Sequence, residues 1–561
     1  MTYRLSYAAL ATLVAVGLAG CSKKQGNFES RFFTTVPTPV ESVGESVPAT
    51  VNGSLPAKFI QKNAKVTATP VLQWADGQAA GQPVIIQGEN VRANGQMVSY
   101  KEGGQVVIPY NAAYQPGMEK SELFLDFNVD QNGKLYTLPR VKVGYGVVST
   151  STLASAATVV PATAPDNFQK VISEKYSADI HFLINQANVR SSQTSKADYI
   201  DLNKKLIEAS KAPNQEIAAL TVNSYASPEG SYEFNEQLAQ KREQNTASYL
   251  ENQLKKDKIT EFGELTSSFT PEDWEGFQEL VEKSNIQDKE LILGVLRMYK
   301  DPVQREKEIR NLSSVFNELA DQILPQLRYS RVMATINVIG KSDQELLDLY
   351  NNDPAKLTND ELLYVATLTD DNARKMAVYK KAIELFPNDY RGYNNLGMTE
   401  YVAGDYSSAA GMFRKALSMN PQSKEAEMNL GLIDLLEGRY SSANEQIGRA
   451  AGIPEAADAL GVYYLTQGET SKALNAFGSA KTNNAALAQI LAKDYPAARN
   501  TLSAIANPDA TTYYLTAILG ARQNNENMVM SNLRQAVRLN PELLTRAKND
   551  LEFASYNLSY L

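Results

Sequence analysis

The chain has 561 residues, of which 43% are apolar and 21% are charged, and its formal net charge is −8. A chain of this length and apolar content is predicted to fold into several globular domains. The acidic balance argues against nucleic acid as a partner, because binding phosphates requires a basic surface. With one cysteine and one histidine, we expect no internal disulfide, no His/Cys metal site and no cofactor.

Residues 1–20 have the pattern of a signal peptide. Arg4 precedes an apolar run from about 7 to 18 that is too short to span a bilayer. The sequence Leu-Ala-Gly-Cys at 18–21 resembles the bacterial lipobox. That resemblance implies cleavage before Cys21 and anchoring by acyl chains on this only cysteine. The alternative is a short buried helix that contains an ordinary cysteine.

The residues after the cysteine bear on location. Ser22 is not aspartate, which by analogy with lipoprotein sorting favours the outer membrane. Lys23 and Lys24 follow, without the acidic run that surface-exported lipoproteins of Bacteroides-type bacteria tend to carry. We therefore expect a lipid anchor in the outer membrane that faces the periplasm. Residues 21–50 are rich in Pro, Ser, Thr and Val, which predicts an extended tether.

Residues 51–150 are predicted to form a small β-sandwich. Apolar and polar residues alternate from 123 to 129, as in a half-buried strand. An Asn-Gly pair at 132–133 follows, which is a strong hairpin signal. Residues 151–170 are rich in Ser, Ala, Thr and Pro and predict a linker.

Residues 171–340 are predicted to be an α+β domain. The pattern gives strands at 178–184 and 217–225, and helices at 199–209 and 233–254. A stretch from about 260 to 325 is predicted to be a helical insertion.

Several motifs of this domain resemble the C-terminal domain of outer membrane protein A and its relatives. The motifs are the turn from Ser224 to Ser231, then Asn235, Leu238, Lys241-Arg242 and Tyr249-Leu250, and the pair Arg328 and Arg331 before the last strand. The family binds peptidoglycan by clamping the diaminopimelate of the stem peptide, with an Asp on its ammonium and an Arg on its carboxylate.

The resemblance implies a set of candidate stem-peptide contacts, which are Ser227, Glu229, Asn235, Arg242 and Arg331. Arg242 stands at the arginine position. The aspartate position holds Ser227, and a hydroxyl cannot replace a carboxylate against an ammonium. Glu229, two residues on, is the candidate substitute.

Two alternatives to this peptidoglycan site stay open. Arg242 could pair with a neighbouring acid such as Glu243 or Glu251. The domain could also serve as a docking surface for another protein.

Residues 342–561 repeat a helical pattern with a period of about 34 residues, which resembles tetratricopeptide repeats. The residues predicted to pack these repeats are Tyr393, Gly397, Ala409, Phe413, Ala416, Gly431, Ala443, Gly461, Ala473 and Phe477. Stacked hairpins of this kind form a concave groove that binds peptides or partner proteins. The alternative is a non-repeating helical bundle.

The whole order of segments is similar to a group of cell-envelope lipoproteins from Bacteroides- and Porphyromonas-type bacteria, some known as immunoreactive antigens. Three functions compete: a scaffold or adaptor of an outer-membrane assembly, a peptidoglycan tether, and an enzyme. The enzyme is least favoured, because His181 lies in an apolar strand-like run and Cys21 is consumed by lipid. The sequence therefore predicts an outer-membrane lipoprotein that binds protein partners through its repeat groove.

Overall fold

The computed structural model describes residues 24–286, 288–311 and 313–561. Cys21 and the signal-peptide pattern lie outside these ranges. The described chain falls into two compact units. The first combines residues 24–165 with 369–561, and the second is residues 166–368. Within the described ranges, no helix has the length and apolar character needed to cross a membrane.

The N-terminal part of the first unit consists of strands in sheets. The strands are β1 (Phe33–Val36), β2 (Val40–Glu41), β3 (Ala49–Leu55), β4 (Ala64–Trp74), β5 (Gly77–Ala80), β6 (Val84–Gln87), β7 (Gln96–Met97), β8 (Gly104–Tyr110), β9 (Glu122–Gln131), β10 (Lys134–Tyr145) and β11 (Val147–Val148). One sheet has the order β1-β3-β8, and a second has the order β10-β9-β4-β6-β7, with β5 paired to β4. Both contribute alternate side chains to one hydrophobic core. The predicted hairpin turn lies between β9 and β10.

Residues 24–50 differ from the extended tether that their composition predicted. The ring of Phe28 stacks on Phe127 with the centroids 4.0 Å apart. Phe28, Phe33, Val40 and Val47 are all buried. A few large apolar side chains, spaced among the polar residues and prolines, are enough to fix this segment to the sheets. It is therefore part of the β core.

The second unit is built on one four-stranded sheet. Its strands are β12 (Val171–His181), β13 (Gln215–Tyr225), β14 (Glu264–Thr270) and β15 (Tyr329–Ile339), in the order β12-β15-β13-β14. Its helices are α1 (Ser191–Thr194), α2 (Ala197–Lys211), α3 (Tyr232–Lys256), α4 (Trp274–Lys283), α5 (Lys289–Met298), α6 (Pro302–Asn311), α7 (Ser313–Gln322), α8 (Asp343–Asn352) and α9 (Asn359–Val365). Helices α2 and α3 share a core with the sheet. The insertion α4–α7 has a separate core.

Helices α8 and α9 fall in the region predicted to begin the repeat array, but they belong to the second unit. The ring of Tyr364 on α9 lies 4.5 Å from that of Phe168. Asp343 at the start of α8 pairs with Lys170 at 2.8 Å. These contacts hold the two helices against the segment that leads into β12. The array therefore begins at residue 372, with the next helix.

The C-terminal part of the first unit is an array of helical hairpins, so the predicted tetratricopeptide-type solenoid is confirmed. Its helices are α10 (Asn372–Leu385), α11 (Tyr390–Val402), α12 (Tyr406–Met419), α13 (Lys424–Leu436), α14 (Tyr440–Arg449), α15 (Glu455–Thr466), α16 (Thr470–Phe477), α17 (Asn483–Leu491), α18 (Tyr495–Ser503), α19 (Ala510–Arg522), α20 (Glu526–Leu539) and α21 (Leu543–Asn549). From α11 to α20 the helices pair in order as antiparallel hairpins, and each hairpin stacks on the next.

The repeated small residues lie where the two helices of a hairpin approach. A side chain at Gly397 would meet the ring of Phe413, and one at Gly431 would meet Ile447. A third glycine, Gly461, faces Phe477 in the same way. The predicted packing residues Ala409, Phe413, Ala416, Ala443 and Ala473 are fully buried, whereas Tyr393 is half-buried.

Changing Gly397 to alanine should lower the free energy of unfolding by about 1–3 kcal/mol, because overpacking forces neighbours from their rotamers. A Cβ at this position would lie 2.8 Å from Cε1 of Phe413. Gly411 on α12 is the matched control, since a Cβ there meets nothing within 4 Å. Gly411→Ala should stabilise by about 0.5–1 kcal/mol through helix propensity. Chemical denaturation of both variants checks the sign, and a stabilising Gly397→Ala would contradict this packing.

Candidate functional site

Residues 149–165, predicted to be a linker, are docked along the first helices of the repeat hairpins. Short 3-10 turns occupy Thr150–Leu153 and Ala156–Thr158, and the chain from 159 to 165 has no regular structure. Ala156, Val159, Ala162 and Ala164 are each at most 5% exposed. The surface that receives them is called here the repeat groove, and it is formed by Asn394, Asn395, Tyr401, Asn429 and Asn484. The segment 149–165 is therefore an internal occupant of that groove.

Three asparagines of the repeat groove each hold one residue of the segment by its main chain. The side-chain oxygen accepts a hydrogen bond from the residue's N–H, and the side-chain nitrogen donates one to the same residue's carbonyl. The pairs, with these two distances in order, are Asn395 with Ala164 at 2.8 and 3.0 Å, Asn429 with Ala162 at 2.7 and 2.7 Å, and Asn484 with Ser155 at 3.0 and 2.9 Å. These asparagine clamps satisfy main-chain groups that burial would otherwise leave unpaired.

Two further side chains add donors between the clamps. The hydroxyl of Tyr401 donates to the carbonyl of Ala156 at 2.6 Å. The side-chain nitrogen of Asn394 donates to the carbonyl of Ala162 at 3.1 Å. Burial raises the pKa of Tyr401, so its hydroxyl stays protonated and remains a donor at physiological pH. In both contacts the groove residue donates to a main-chain carbonyl of the segment.

The groove recognises the main chain of the segment, and it accepts only small side chains at the clamped positions. An amide that binds both the N–H and the C=O of one residue recognises any amino acid, because every residue except proline carries both groups. Ala162 and Ala164 are each 1% exposed, so there is no room for a larger side chain at either position. Val160, which lies between Ser155 and Ala162, is 70% exposed, so the size of the side chain is not restricted there.

The N-terminal end of the segment is fixed both to the β-strand part and to the last helices of the array. The hydroxyl of Ser151 donates to the carbonyl of Gly44 at 2.9 Å. Thr150 donates to Glu552 at 2.5 Å, and the same carboxylate pairs with Arg522 at 2.7 Å. The segment is thus continuous with the packing that joins the two parts of the first unit.

Sequence reasoning missed the asparagine clamps, although a signal exists. In three hairpins the asparagine stands two residues before the small residue that faces the second helix, as Asn395 before Gly397, Asn429 before Gly431, and Asn484 before Ala486. In α15 the equivalent position holds Ala459. A polar residue repeated at one place in the first helix indicates a function of the groove, since packing there requires only apolar or small side chains.

In the second unit, Arg242 is a buried structural residue. It is 1% exposed. Its Nε donates to the carbonyl of Gln186 at 3.0 Å, and its Nη1 donates to that of Tyr225 at 2.8 Å. The guanidinium also lies over the ring of Phe182, 5.0 Å from the centroid. These contacts differ from both sequence-based interpretations, a stem-peptide contact and a pair with Glu243 or Glu251. The carbonyls and the ring leave no face of the cation open to a carboxylate ligand.

The other candidate contacts near α3 are also engaged within the protein. Glu229 forms a two-bond pair with Arg328 at 2.9 and 2.8 Å, and it accepts from the hydroxyl of Ser227 at 2.9 Å. Asn235 is 2% exposed, and its side-chain nitrogen donates to the carbonyl of Gly230 at 3.1 Å. The structure brings Ser227, Glu229 and Asn235 together around the turn before α3, and each of them is hydrogen-bonded within the protein.

Arg331 lies on the opposite face of the sheet from α3. Its neighbour Ser330 accepts a hydrogen bond from Thr246 of α3 at 3.0 Å, and successive residues of a strand point to opposite faces. Arg331 forms a two-bond pair with Asp179 at 2.8 and 2.9 Å. The structure therefore does not bring Arg331 together with Arg242.

That opposite face carries a cleft of about 460 Å³. It is lined by Asp179, His181, Tyr225, Asp273, Glu275, Gly276, Glu279, Leu280, Gln326, Leu327, Tyr329 and Arg331. The rings of Tyr225 and Tyr329 stack with their centroids 4.6 Å apart. Tyr329 donates to Asp273 at 3.2 Å, and burial raises the pKa of that carboxyl. Over the described ranges, no group of three or more His, Cys, Asp and Glu side chains is arranged to hold a metal ion.

Acidification below about pH 6.5 should remove stabilisation from the second unit through His181. Burial, aided by Lys196, lowers the pKa of His181, while Asp179 and Asp198 act the other way. The unfolded chain then binds the proton more tightly than the folded one. This stabilisation is therefore complete above the unfolded pKa of about 6.5 and is lost as the pH falls towards the folded value. Asp273, whose pKa is raised, titrates in the opposite sense.

The effect of His181 is measured as a difference between two proteins. Denaturant unfolding of the native chain and of His181→Gln, each at pH 7.5 and pH 5.5, isolates the histidine, which is the only one in the sequence. We expect the native chain to lose more stability on acidification than the variant. Equal losses would show that the imidazole does not contribute.

Comparisons with known proteins bear on the repeat array. Residues 376–423 and 394–457 match the family model of the tetratricopeptide repeat. No curated protein matches the sequence.

Solved structures that are similar to the chain include the following three. One is the APC/C hetero-tetramer Cut9–Hcn1, with 17% identity, 36% of this chain and 44% of that chain covered, and a TM-score of 0.32. Another is a tetratricopeptide repeat protein from Parabacteroides merdae, with 15% identity, coverage of 36% and 88%, and a TM-score of 0.30. A third is YrrB, described as a protein of this class with an unusual peptide-binding site, with 19% identity, coverage of 37% and 99%, and a TM-score of 0.21.

This chain thus spans less than half of the Cut9–Hcn1 chain that it matches. The family match and the stacked hairpins agree on the same helices. Repeats of this class are protein–protein interaction modules whose stacked helices present an extended surface. Residues 376–457 of this chain form tetratricopeptide repeats.

Proposed function

We propose that this chain is a scaffold of the outer membrane, anchored by lipid and facing the periplasm, and that it binds protein partners through its repeat groove without enzymatic activity. The asparagine clamps are the observation that carries the proposal. They hold an irregular segment of polypeptide by its main chain at Ser155, Ala162 and Ala164. A surface built to bind backbone in this way is suited to bind a segment of another protein.

The anchor rests on the lipobox resemblance at Cys21. Gln25 is 3% exposed, and its N–H donates to Gln131 of β9 at 3.2 Å. Cys21 precedes Gln25 by four residues, a length that spans at most about 14 Å when fully extended. An acylated Cys21 would therefore hold the β-strands of the first unit close to the lipid surface.

Cys21→Ser should abolish labelling of the protein by radioactive palmitate and shift it from the membrane fraction to the soluble fraction, or leave it unprocessed. Two acyl signals are needed for durable anchoring, so losing all of them releases the protein. Ser22→Ala is the matched control and should keep both the label and the fractionation. A Cys21→Ser protein that stays in the outer-membrane fraction without label would show that another contact anchors the chain.

The scaffold itself is tested by photo-crosslinking of the full chain in intact cells. A photoreactive amino acid at Glu425, which is half-buried on α13 one turn before Asn429 and on the same side of that helix, should capture a protein partner. The same amino acid at Asn500, exposed on α18, is the control and should capture less. Equal capture at both positions, or none at Glu425, would contradict a partner in the repeat groove.

The peptidoglycan tether receives less support from the second unit. The sheet order β12-β15-β13-β14 places α3 and its Arg242 against one face, and the resemblance to outer membrane protein A rests on that region. Arg242 is held by main-chain carbonyls, and Glu229 by Arg328. A stem peptide would have to displace both sets of contacts before it could be bound.

A further inference from the structure

The occupant of the repeat groove belongs to the same chain and is tied at both ends. Residues 149–165 follow β11 directly and lead into β12. The segment contains no charged residue, and it consists of Ser, Thr, Leu, Ala, Val and Pro. Its hydrogen bonds to the repeat groove use main-chain atoms of Ser155, Ala156, Ala162 and Ala164, together with the hydroxyl of Thr158, which accepts one from Asn484 at 3.1 Å. The groove therefore recognises features that another polypeptide can present equally well.

The side chains that the groove buries are small. Ala156 and Val159 are each 5% exposed, and Ala162 and Ala164 are each 1% exposed. Val160 and Thr163 are exposed. Small apolar side chains add little burial each, since the hydrophobic contribution is about 0.8 kcal/mol per buried CH₂. The docking of the segment thus rests largely on hydrogen bonds that a competitor would replace one for one.

We propose that residues 152–165 are an intramolecular ligand, and that the partner of the groove is an uncharged, irregular polypeptide segment with Gly, Ala or Ser at the places of Ala156, Ala162 and Ala164. This inference rests on the function proposed above. The partner segment binds by displacing the internal one, and it takes over the same asparagine clamps. The exposed positions of Val160 and Thr163 between the clamps set no requirement on the partner.

The internal ligand raises the concentration of partner needed for binding. A tethered segment competes at an effective concentration on the order of 1 mM. If a free peptide binds the empty groove with a Kd of about 10 μM, the tethered segment weakens its apparent affinity about 100-fold, because only the small open fraction can bind. The groove is therefore closed to weak ligands.

The test uses the full chain and a fluorescein-labelled synthetic peptide with the sequence of residues 152–165. Three proteins are compared by fluorescence anisotropy. They are the native chain, an opened variant with Ala156→Arg and Ala162→Arg, and the opened variant that also carries Asn395→Ala, Asn429→Ala and Asn484→Ala. A second peptide with arginine in place of the alanine at 162 is the control ligand.

We expect the opened variant to bind the peptide at least about tenfold more tightly than the native chain, and the added asparagine changes to abolish that binding. The control peptide should bind none of the three proteins. An opened variant that binds no more tightly than the native chain would overturn the proposal. Crosslinking at Glu425 tests the proposed function separately. A partner captured there, together with an opened variant that binds the peptide no more tightly than the native chain, would leave the scaffold standing and remove only the displaced ligand.

A second measurement covers the case in which the opened variant does not fold. Hydrogen exchange of the native chain should show the amides of Ala162 and Ala164 exchanging faster than the buried amides of α13, because the segment opens without unfolding of the array. Adding excess unlabelled peptide, which occupies the groove, should leave the exchange rates of the α13 amides unchanged. Exchange of Ala162 as slow as that of the α13 core would overturn the proposal.

Discussion

Replacing Arg242 by methionine is expected to lower the free energy of unfolding of the second unit by about 3–5 kcal/mol, because it leaves buried carbonyl oxygens without donors. Nε and Nη1 of Arg242 serve the carbonyls of Gln186 and Tyr225. Methionine can fill the volume over Phe182 but donates no hydrogen bond. The loss is limited by one opposing effect. Burial lowers the pKa of Arg242 to about 10, so its guanidinium is partly desolvated and its removal recovers that cost.

Two further variants identify the cause. Lys241→Met, on the exposed side of the same helix, should change stability by less than about 0.5 kcal/mol. The stability of Arg242→Lys should lie between those of the native chain and Arg242→Met. A single ammonium group cannot donate to two carbonyls in different directions as well as the planar guanidinium does. Denaturant unfolding followed by hydrogen exchange of β13 gives the values. A stable Arg242→Met that has lost binding to purified peptidoglycan would instead make Arg242 a ligand contact.

The repeat array could be predicted because its packing is periodic. Gly397, Gly431 and Gly461 each face a large side chain of the second helix, and this geometry forces the same residue type at one offset in successive hairpins. The strand from 123 to 129 was equally visible, since one face of β9 is buried and the other is not. Helices and strands with one buried face can therefore be predicted from the local periodicity of the sequence.

The errors come from segments whose structure depends on distant partners. Residues 28–47 and 149–165 were predicted to be a tether and a linker because they are rich in Pro, Ser and Thr, yet their apolar or small side chains dock on Phe127 and on the repeat groove. No local pattern encodes such a contact. The same holds for Arg242, because its carbonyl partners Gln186 and Tyr225 are 56 and 17 residues away along the chain. A motif can place an arginine on a helix but cannot show which atoms it contacts.

The triple change Asn395→Ala, Asn429→Ala and Asn484→Ala is expected to release residues 152–165 from the repeat groove while the array stays folded. Seven hydrogen bonds to the segment are lost, each worth about 1 kcal/mol net. The destabilisation is capped at the docking free energy of the segment. Once the segment is free, its N–H and C=O groups bond to water and bear no further penalty. The array keeps its own core, since each hairpin packs on its neighbours.

Hydrogen exchange and limited proteolysis measure the release. The amides of Ala162 and Ala164, which donate to the clamps in the native chain, should exchange at least about tenfold faster, a change that corresponds to 1.4 kcal/mol. A protease without sequence preference should cut first within 152–165. The matched control is Asn444→Ala, Asn475→Ala and Asn500→Ala, three exposed asparagines on the second helices of the hairpins, which should leave both signals unchanged. If the clamp variant stays as protected as this control, the segment is held by its small side chains and the asparagines are not its principal contacts.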